Sequence, residues 1–186
     1  MTPFGLGRSR RRGGGSGRSD VPVLAVDIDG VISLFGFEGE PQVEGAELEL
    51  IEGALHCISM QAGGQLRQLA EHFEIVWATG WETGGERVSQ ILGLPPWPSL
   101  SFKGSARFGS ADWKLEPLGR HARGRPLAWI DDSLDEACYA WARARQEPTL
   151  LVETEPQTGL QQVQVEALLG WARSLEADSQ GAAGPR

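Results

Sequence analysis

Residues 21–31 read VPVLAVDIDGV, and their reading decides the fold. Val21–Val26 is a short apolar run, rich in β-branched residues, that ends abruptly in acid. A strand with no polar alternation has no solvated face, which is the pattern of a buried parallel strand. Two further runs of this kind follow. Glu74–Ala78 (EIVWA) leads into Thr79-Gly80-Trp81-Glu82, and Pro126–Ile130 (PLAWI) leads into Asp131-Asp132-Ser133.

The segments between them read as helices. Leu66, Leu69 and Phe73 recur at helical spacing in Gly64–Phe73, and Glu82–Leu92 closes at Gly93. Asp112–His121, Leu134–Gln146 and Leu160–Leu175 complete the set, with strands expected at Pro98–Phe102 and Thr149–Val152. Ala46–Ile51 alternates, Glu52-Gly53 makes a turn, and Ala54–Ser59 returns, the pattern of a β-hairpin. Five strands separated by helices predict an α/β fold, a doubly wound, Rossmann-like parallel five-stranded sheet with helices on both faces.

Composition sets the boundaries. The chain has 186 residues and a net charge of −8. Arg8, Arg10, Arg11, Arg12 and Arg18 precede every acid, so the remainder holds 12 basic against 25 acidic residues, a net of −13. Such a body repels polyanions and argues against a broad nucleic-acid face. Residues 1–19, Gly/Arg-rich, are expected to form a disordered tail, residues 20–175 a single domain, and 176–186 a second disordered tail. No run approaches the roughly 18–20 apolar residues of a membrane span, and no apolar segment follows the N-terminal arginines as in a secretory signal. Cys57 and Cys138 are far apart and read as two buried thiols. These features point to a cytoplasmic protein with no membrane partner. The sequence leaves the oligomeric state open.

In a doubly wound sheet, ligands bind beyond the carboxyl ends of the strands. Three strand tips here present Asp27, Asp29, Asp131, Asp132 and the hydroxyl of Thr79. Any one acid could be a helix cap. Four together, without a cation, would cost several kcal/mol in repulsion and desolvation. A hard divalent ion with oxygen ligands relieves that cost, and Mg²⁺ binds through one or two carboxylates plus substrate phosphate. A site of this composition suits phosphoryl transfer, in which a carboxylate serves as nucleophile.

VDIDGV, VWATGW, Lys114 and WIDDS, in that order, resemble the four motifs of the haloacid dehalogenase-like (HAD) superfamily. VWATGWE, LGLP, LAWIDDSLDE, the Leu150–Thr154 strand and GLQQVQVEALLGWA are similar to one subgroup, the small domain associated with Swiss army knife RNA-repair proteins. The resemblance spans about residues 22–175. It implies a phosphatase in which Asp27 attacks phosphorus and ligates Mg²⁺. Asp29 would protonate the leaving oxygen, activate water, and give its backbone carbonyl to the metal. Thr79 would bind a phosphate oxygen, Asp131 and Asp132 would hold the metal, and Lys114 would offset negative charge. Lys103 is the other lysine of the chain and reads as solvent-facing. The segments after the first two motifs leave room for the hairpin as a flap and for no cap domain.

The implied substrate is a phosphorylated small molecule, such as a nucleotide, or a nucleic-acid terminal phosphate. The alternative is a non-catalytic module that keeps the fold and binds a phosphorylated partner or nucleic-acid end. Trp77, Trp129, Trp141 and Trp171 read as core. Trp81, Trp97 and Trp113 flank the tips or loops, where they either stack a nucleobase or pack the loops down. His56, His72 and His121 show no metal spacing and read as structural or solvated, and Ser33 carries no assigned role.

Overall fold

The computed structural model describes residues 21–39, 41, 43–81, 83–102 and 109–182, with backbone alone from 179 onward. The expected tail 1–19 and Lys103 lie outside the described residues. The chain runs β1 (Val23–Val26), β2 (Ser33–Leu34), β3 (Ala46–Ile51), β4 (Ala54–Ser59), α1 (Gln61–Leu69), β5 (Glu74–Trp77) and α2 (Gly84–Ile91). A 3₁₀ turn at Asp112–Lys114 then leads into α3 (Leu115–His121), β6 (Leu127–Asp131), α4 (Glu136–Ala144), β7 (Thr149–Glu153) and α5 (Gln162–Ala182).

Four strands form a parallel sheet in the order β5-β1-β6-β7. β1 pairs along its length with β5 on one side and β6 on the other. All four of its residues are buried, which is why VLAV shows no polar alternation. Side chains alternate across the sheet. Leu24, Val26, Ile75, Trp77 and Ile130 pack on one face against α1, α2 and α5 through Leu66, Leu69, Val88, Val165 and Leu168. Val23, Ala25, Val76 and Trp129 pack on the other against Leu118 of α3 and Cys138 of α4. The sheet is therefore covered on both faces, as expected.

The expected fifth strand is absent. Pro98–Phe102 contributes a single bridge, Ser99 opposite Trp77, rather than a strand. Trp77 N–H donates to Pro98 O and Leu100 N–H to Trp77 O, and there the pairing stops. Pro95, Pro96 and Pro98 have no N–H to extend it. At the C-terminus the correction runs the other way. α5 continues through Ala182, past the end expected at Leu175, so 176–182 is helix rather than tail.

The predicted hairpin is present as β3–β4, with a two-residue turn at Glu52-Gly53 whose φ angles are both positive, 51° and 83°. β2 extends it to a three-stranded antiparallel sheet, order β2-β4-β3, which the sequence reading did not foresee. Among the described residues no helix is long and apolar enough to cross a membrane. Cys57 and Cys138 are buried and free.

The strand order reverses beside β1: the chain leaves it for β5, then returns past it to β6. That opens a crevice at the carboxyl ends of β1 and β6. The loop leaving β1 is held there by the turn before α5. Thr154 Oγ1 donates to Gly30 O at 2.9 Å, and Leu160 N–H donates to Val31 O at 2.9 Å. Gly159 has φ +63°, and a Cβ on it would lie 2.4 Å from Val31 O. Gly159→Ala should therefore cost about 2 kcal/mol or more. Gly170→Ala, exposed within α5 with nothing near its missing Cβ, should gain up to about 1 kcal/mol. Urea unfolding checks both. Equal effects would mean that the 159 turn does not hold the loop.

Candidate functional site

β1 ends at Val26 and delivers Asp27 to the crevice. Ile28 N–H donates to Asp27 Oδ1 at 2.8 Å, and Lys114 Nζ lies 2.7 Å from Oδ2. β6 ends in Asp131, which is fully buried. Its Oδ2 accepts from Lys114 Nζ at 2.7 Å and from the indole N–H of Trp129 at 3.2 Å, and its Oδ1 from Ser133 N–H at 3.0 Å. Lys114 comes from the 3₁₀ turn and is only 2% exposed. One buried ammonium thus bridges two strand-tip carboxylates.

Asp132 follows, half-buried against the loop after β1. Gly30 has φ +65°, and a Cβ there would fall 2.4 Å from Asp132 Cγ, so glycine is needed for both the turn and the approach. Carboxylate oxygens of Asp27, Asp131 and Asp132 all lie within 4.8 Å of one another.

The electrostatics follow from burial. Desolvation pushes the Asp27 carboxyl well above its usual range, against the pull of Lys114 and with added repulsion from Asp131. Asp132 is raised by burial and by Asp131. Burial opposes the Lys114 ammonium, but Asp27 and Asp131 outweigh it and raise its pKa. Three carboxyl groups gathered round one ammonium in a poorly solvated place could hold a hard divalent cation.

Asp29 is brought to the same cavity but not into the same group. Its Oδ2 accepts from the indole N–H of Trp81 at 2.7 Å, and its carboxylate is not among the three clustered acids. The metal role expected of Asp29 is for its backbone carbonyl, not for this side chain. Burial raises its pKa, tempered by Trp81 and His56. Thr79 is buried beyond the end of β5, where its hydroxyl accepts from Trp81 N–H at 3.3 Å. The cavity has a volume of about 530 Å³, and Gly80 rather than Thr79 lines it.

His56, Ser33, Phe35 and Leu55 also line the cavity, and none was picked out from the sequence. His56 packs on Trp81 with ring centroids 4.3 Å apart and is hydrogen-bonded through Nδ1 to Ser33 Oγ at 3.1 Å. The alternation in β3–β4 gave no signal for His56, which shares its face with Glu47 and Glu49 as well as with the buried Ile51 and Ile58, while the apolar Leu48, Leu50 and Leu55 lie exposed on the other face. Of the loop tryptophans, Trp81 and Trp113 line the cavity, whereas Trp97 packs on Trp77.

No protein-family model matches the chain, and no curated protein matches it. Among solved structures, the chain is similar to a hypothetical protein of Xanthomonas campestris, with 15% identity, a TM-score of 0.46, and coverage of 90% of this chain and 91% of that one.

Because Asp132 is raised, the folded state holds more protons than the unfolded one above the ordinary carboxylate range, and stability falls as pH rises through that window. Asp132→Asn should therefore raise the melting temperature of the metal-free protein at pH 7, with the difference closing below about pH 4. A lower melting temperature at pH 7 would show that the Ser133 hydroxyl bond to Asp132 outweighs the repulsion.

Proposed function

We propose that the chain is a Mg²⁺-dependent phosphatase acting through a covalent aspartyl-phosphate on Asp27. The observation that carries this reading is the Lys114 ammonium, held 2.7 Å from both Asp27 and Asp131 beside a third carboxylate in one cavity. The fold fits a HAD-like core without a cap domain, with the β3–β4 hairpin as its flap. Asp27, Asp131 and Asp132 would hold the metal, with the backbone carbonyl of Asp29 added by the resemblance. Bound there, Mg²⁺ offsets phosphate charge and polarises a phosphoryl oxygen.

The chain's own residues carry the steps. A carboxylate oxygen of Asp27 attacks phosphorus as the ester P–O bond breaks. Asp29, whose burial favours its protonated form, gives its proton to the leaving oxygen. Asp29 then takes a proton from water, which attacks phosphorus and frees Asp27. Lys114 offsets charge on Asp27 throughout, and the resemblance gives the Thr79 hydroxyl a phosphate oxygen, although Thr79 is buried behind Gly80 rather than in the cavity wall.

The cavity falls within the roughly 300–1,000 Å³ range of small-molecule sites. Trp81, Trp113 and Phe35 in its wall suit the base of a nucleotide or of a nucleic-acid end carrying a terminal phosphate. Two free buried thiols fit a reducing, cytoplasmic setting.

The test is a panel of nucleotides, sugar phosphates and 5′- or 3′-phosphorylated oligonucleotides. EDTA should abolish turnover and Mg²⁺ restore it. Asp27→Asn should remove turnover while the protein stays folded, because the amide is nearly isosteric but cannot attack. Full activity after chelation, or wild-type rates in Asp27→Asn, would overturn the proposal. Mg²⁺-dependent binding of a phosphorylated ligand without turnover would favour a binding module.

A further inference from the structure

The indole of Trp81 is held on several sides by groups that the proposed chemistry does not itself require. Its N–H donates to Asp29 Oδ2 at 2.7 Å. Its ring packs on His56 of β4 at 4.3 Å. Against it lies Gly84, the first residue of α2, where a Cβ would fall 2.5 Å from Trp81 Cε3. Its backbone N–H donates to the Thr79 hydroxyl. The hairpin touches this segment a second time at its turn, where the Thr83 hydroxyl donates to Glu52.

We propose that Trp81 is the positioning residue for Asp29 and that the β3–β4 hairpin controls it through His56. The role given to Asp29 rests on the phosphatase reading; the clamp on the indole does not. An indole N–H only donates, and it is borne on a rigid ring with two side-chain torsions. Once that ring is wedged between α2 and the hairpin, the N–H fixes Oδ2 of Asp29 in direction as well as distance. Oδ1 is left for the substrate.

Asp29 lies outside the named strands, tied only by an isolated bridge to Ser33, and its carboxylate needs a further hold at the precision that proton transfer demands. His56 is anchored in turn by Ser33, whose backbone carbonyl accepts from Gly30 N–H at 2.8 Å. Hairpin, indole and the loop after β1 therefore form one connected unit around Asp29. Leu55, next to His56, and Phe35, two residues after Ser33, are both exposed at the cavity. A substrate pressing on them acts on the same unit.

Two measurements test the proposal. Proton donation matters for a poor leaving group and little for a good one. Trp81→Phe keeps a ring but loses the N–H. It should lower kcat/KM on glycerol 2-phosphate by about tenfold or more through kcat, and on p-nitrophenyl phosphate by less than about threefold. His56→Ala should show the same bias more weakly, with the melting temperature confirming that both variants fold. Equal losses on both esters, or a change confined to KM, would overturn the positioning role.

The second measurement needs no turnover. The Trp81 indole N–H resonance, assigned by its loss in Trp81→Phe, should exchange slowly with solvent. It should shift and exchange faster in Asp29→Ala and in His56→Ala. A resonance indifferent to both changes would overturn the clamp. A protein that turns over neither of these esters nor any nucleotide, sugar phosphate or phosphorylated oligonucleotide, but shows these shifts, would contradict the phosphatase reading and leave the clamp standing.

Discussion

One buried ammonium between two buried carboxylates organises this molecule. Lys114 Nζ lies 2.7 Å from both Asp27 and Asp131, with all three side chains almost inaccessible to water. Desolvating such charges costs several kcal/mol per ion, and their attraction repays it only with close geometry and further hydrogen bonds. The fold supplies both. β1 and β6 are adjacent and in register, so their tips place Asp27 and Asp131 side by side. Trp129, Ser133 and Ile28 donate to the remaining lone pairs. The 3₁₀ turn that leads into α3 brings in the buried Lys114. Even so the charge does not balance, because Asp132 adds a third carboxylate at the same place. A stable protein that keeps an uncompensated acid there holds it at a cost to stability, which is characteristic of functional sites.

The surrounding loops follow from that arrangement. Gly30 leaves room for Asp132, and Thr154 and Gly159 hold the loop that carries Asp29. Asp27 and Asp29, two residues apart, meet opposite surroundings. One faces the lysine and the other acids, while the other faces an indole and a histidine. Separate environments for neighbouring carboxyls are how a site gives two groups of one kind different tasks.

The strand tips were legible because buried parallel strands leave an unmistakable apolar run, and topology then dictates that the residues after each run converge. Asp27, Asp131 and Asp132 came together for that reason. Lys114 needed the resemblance as well, since nothing local marks a lysine at the start of a short helix as buried. His56 and Ser33 were not legible. They meet only because β2 joins the hairpin, and a two-residue strand has no periodicity to read. Pro98–Phe102 misled in the other direction, since its apolar residues suggested a strand that the prolines cannot pair. The end of α5 reads as a tail in the sequence because its residues are small and polar. Helix propensity of Glu, Ala and Gln, continuing a helix already nucleated, does not require apolar side chains.

The most direct measurement is intact-protein and peptide mass spectrometry of Asp29→Asn after brief exposure to Mg²⁺ and p-nitrophenyl phosphate, whose leaving group needs little help from a proton donor. With water activation removed, the phosphoryl group should remain on the enzyme, and the added mass should map to Asp27 and be released by hydroxylamine. No phosphoryl adduct, or one on a residue other than Asp27, would contradict Asp27 as the nucleophile.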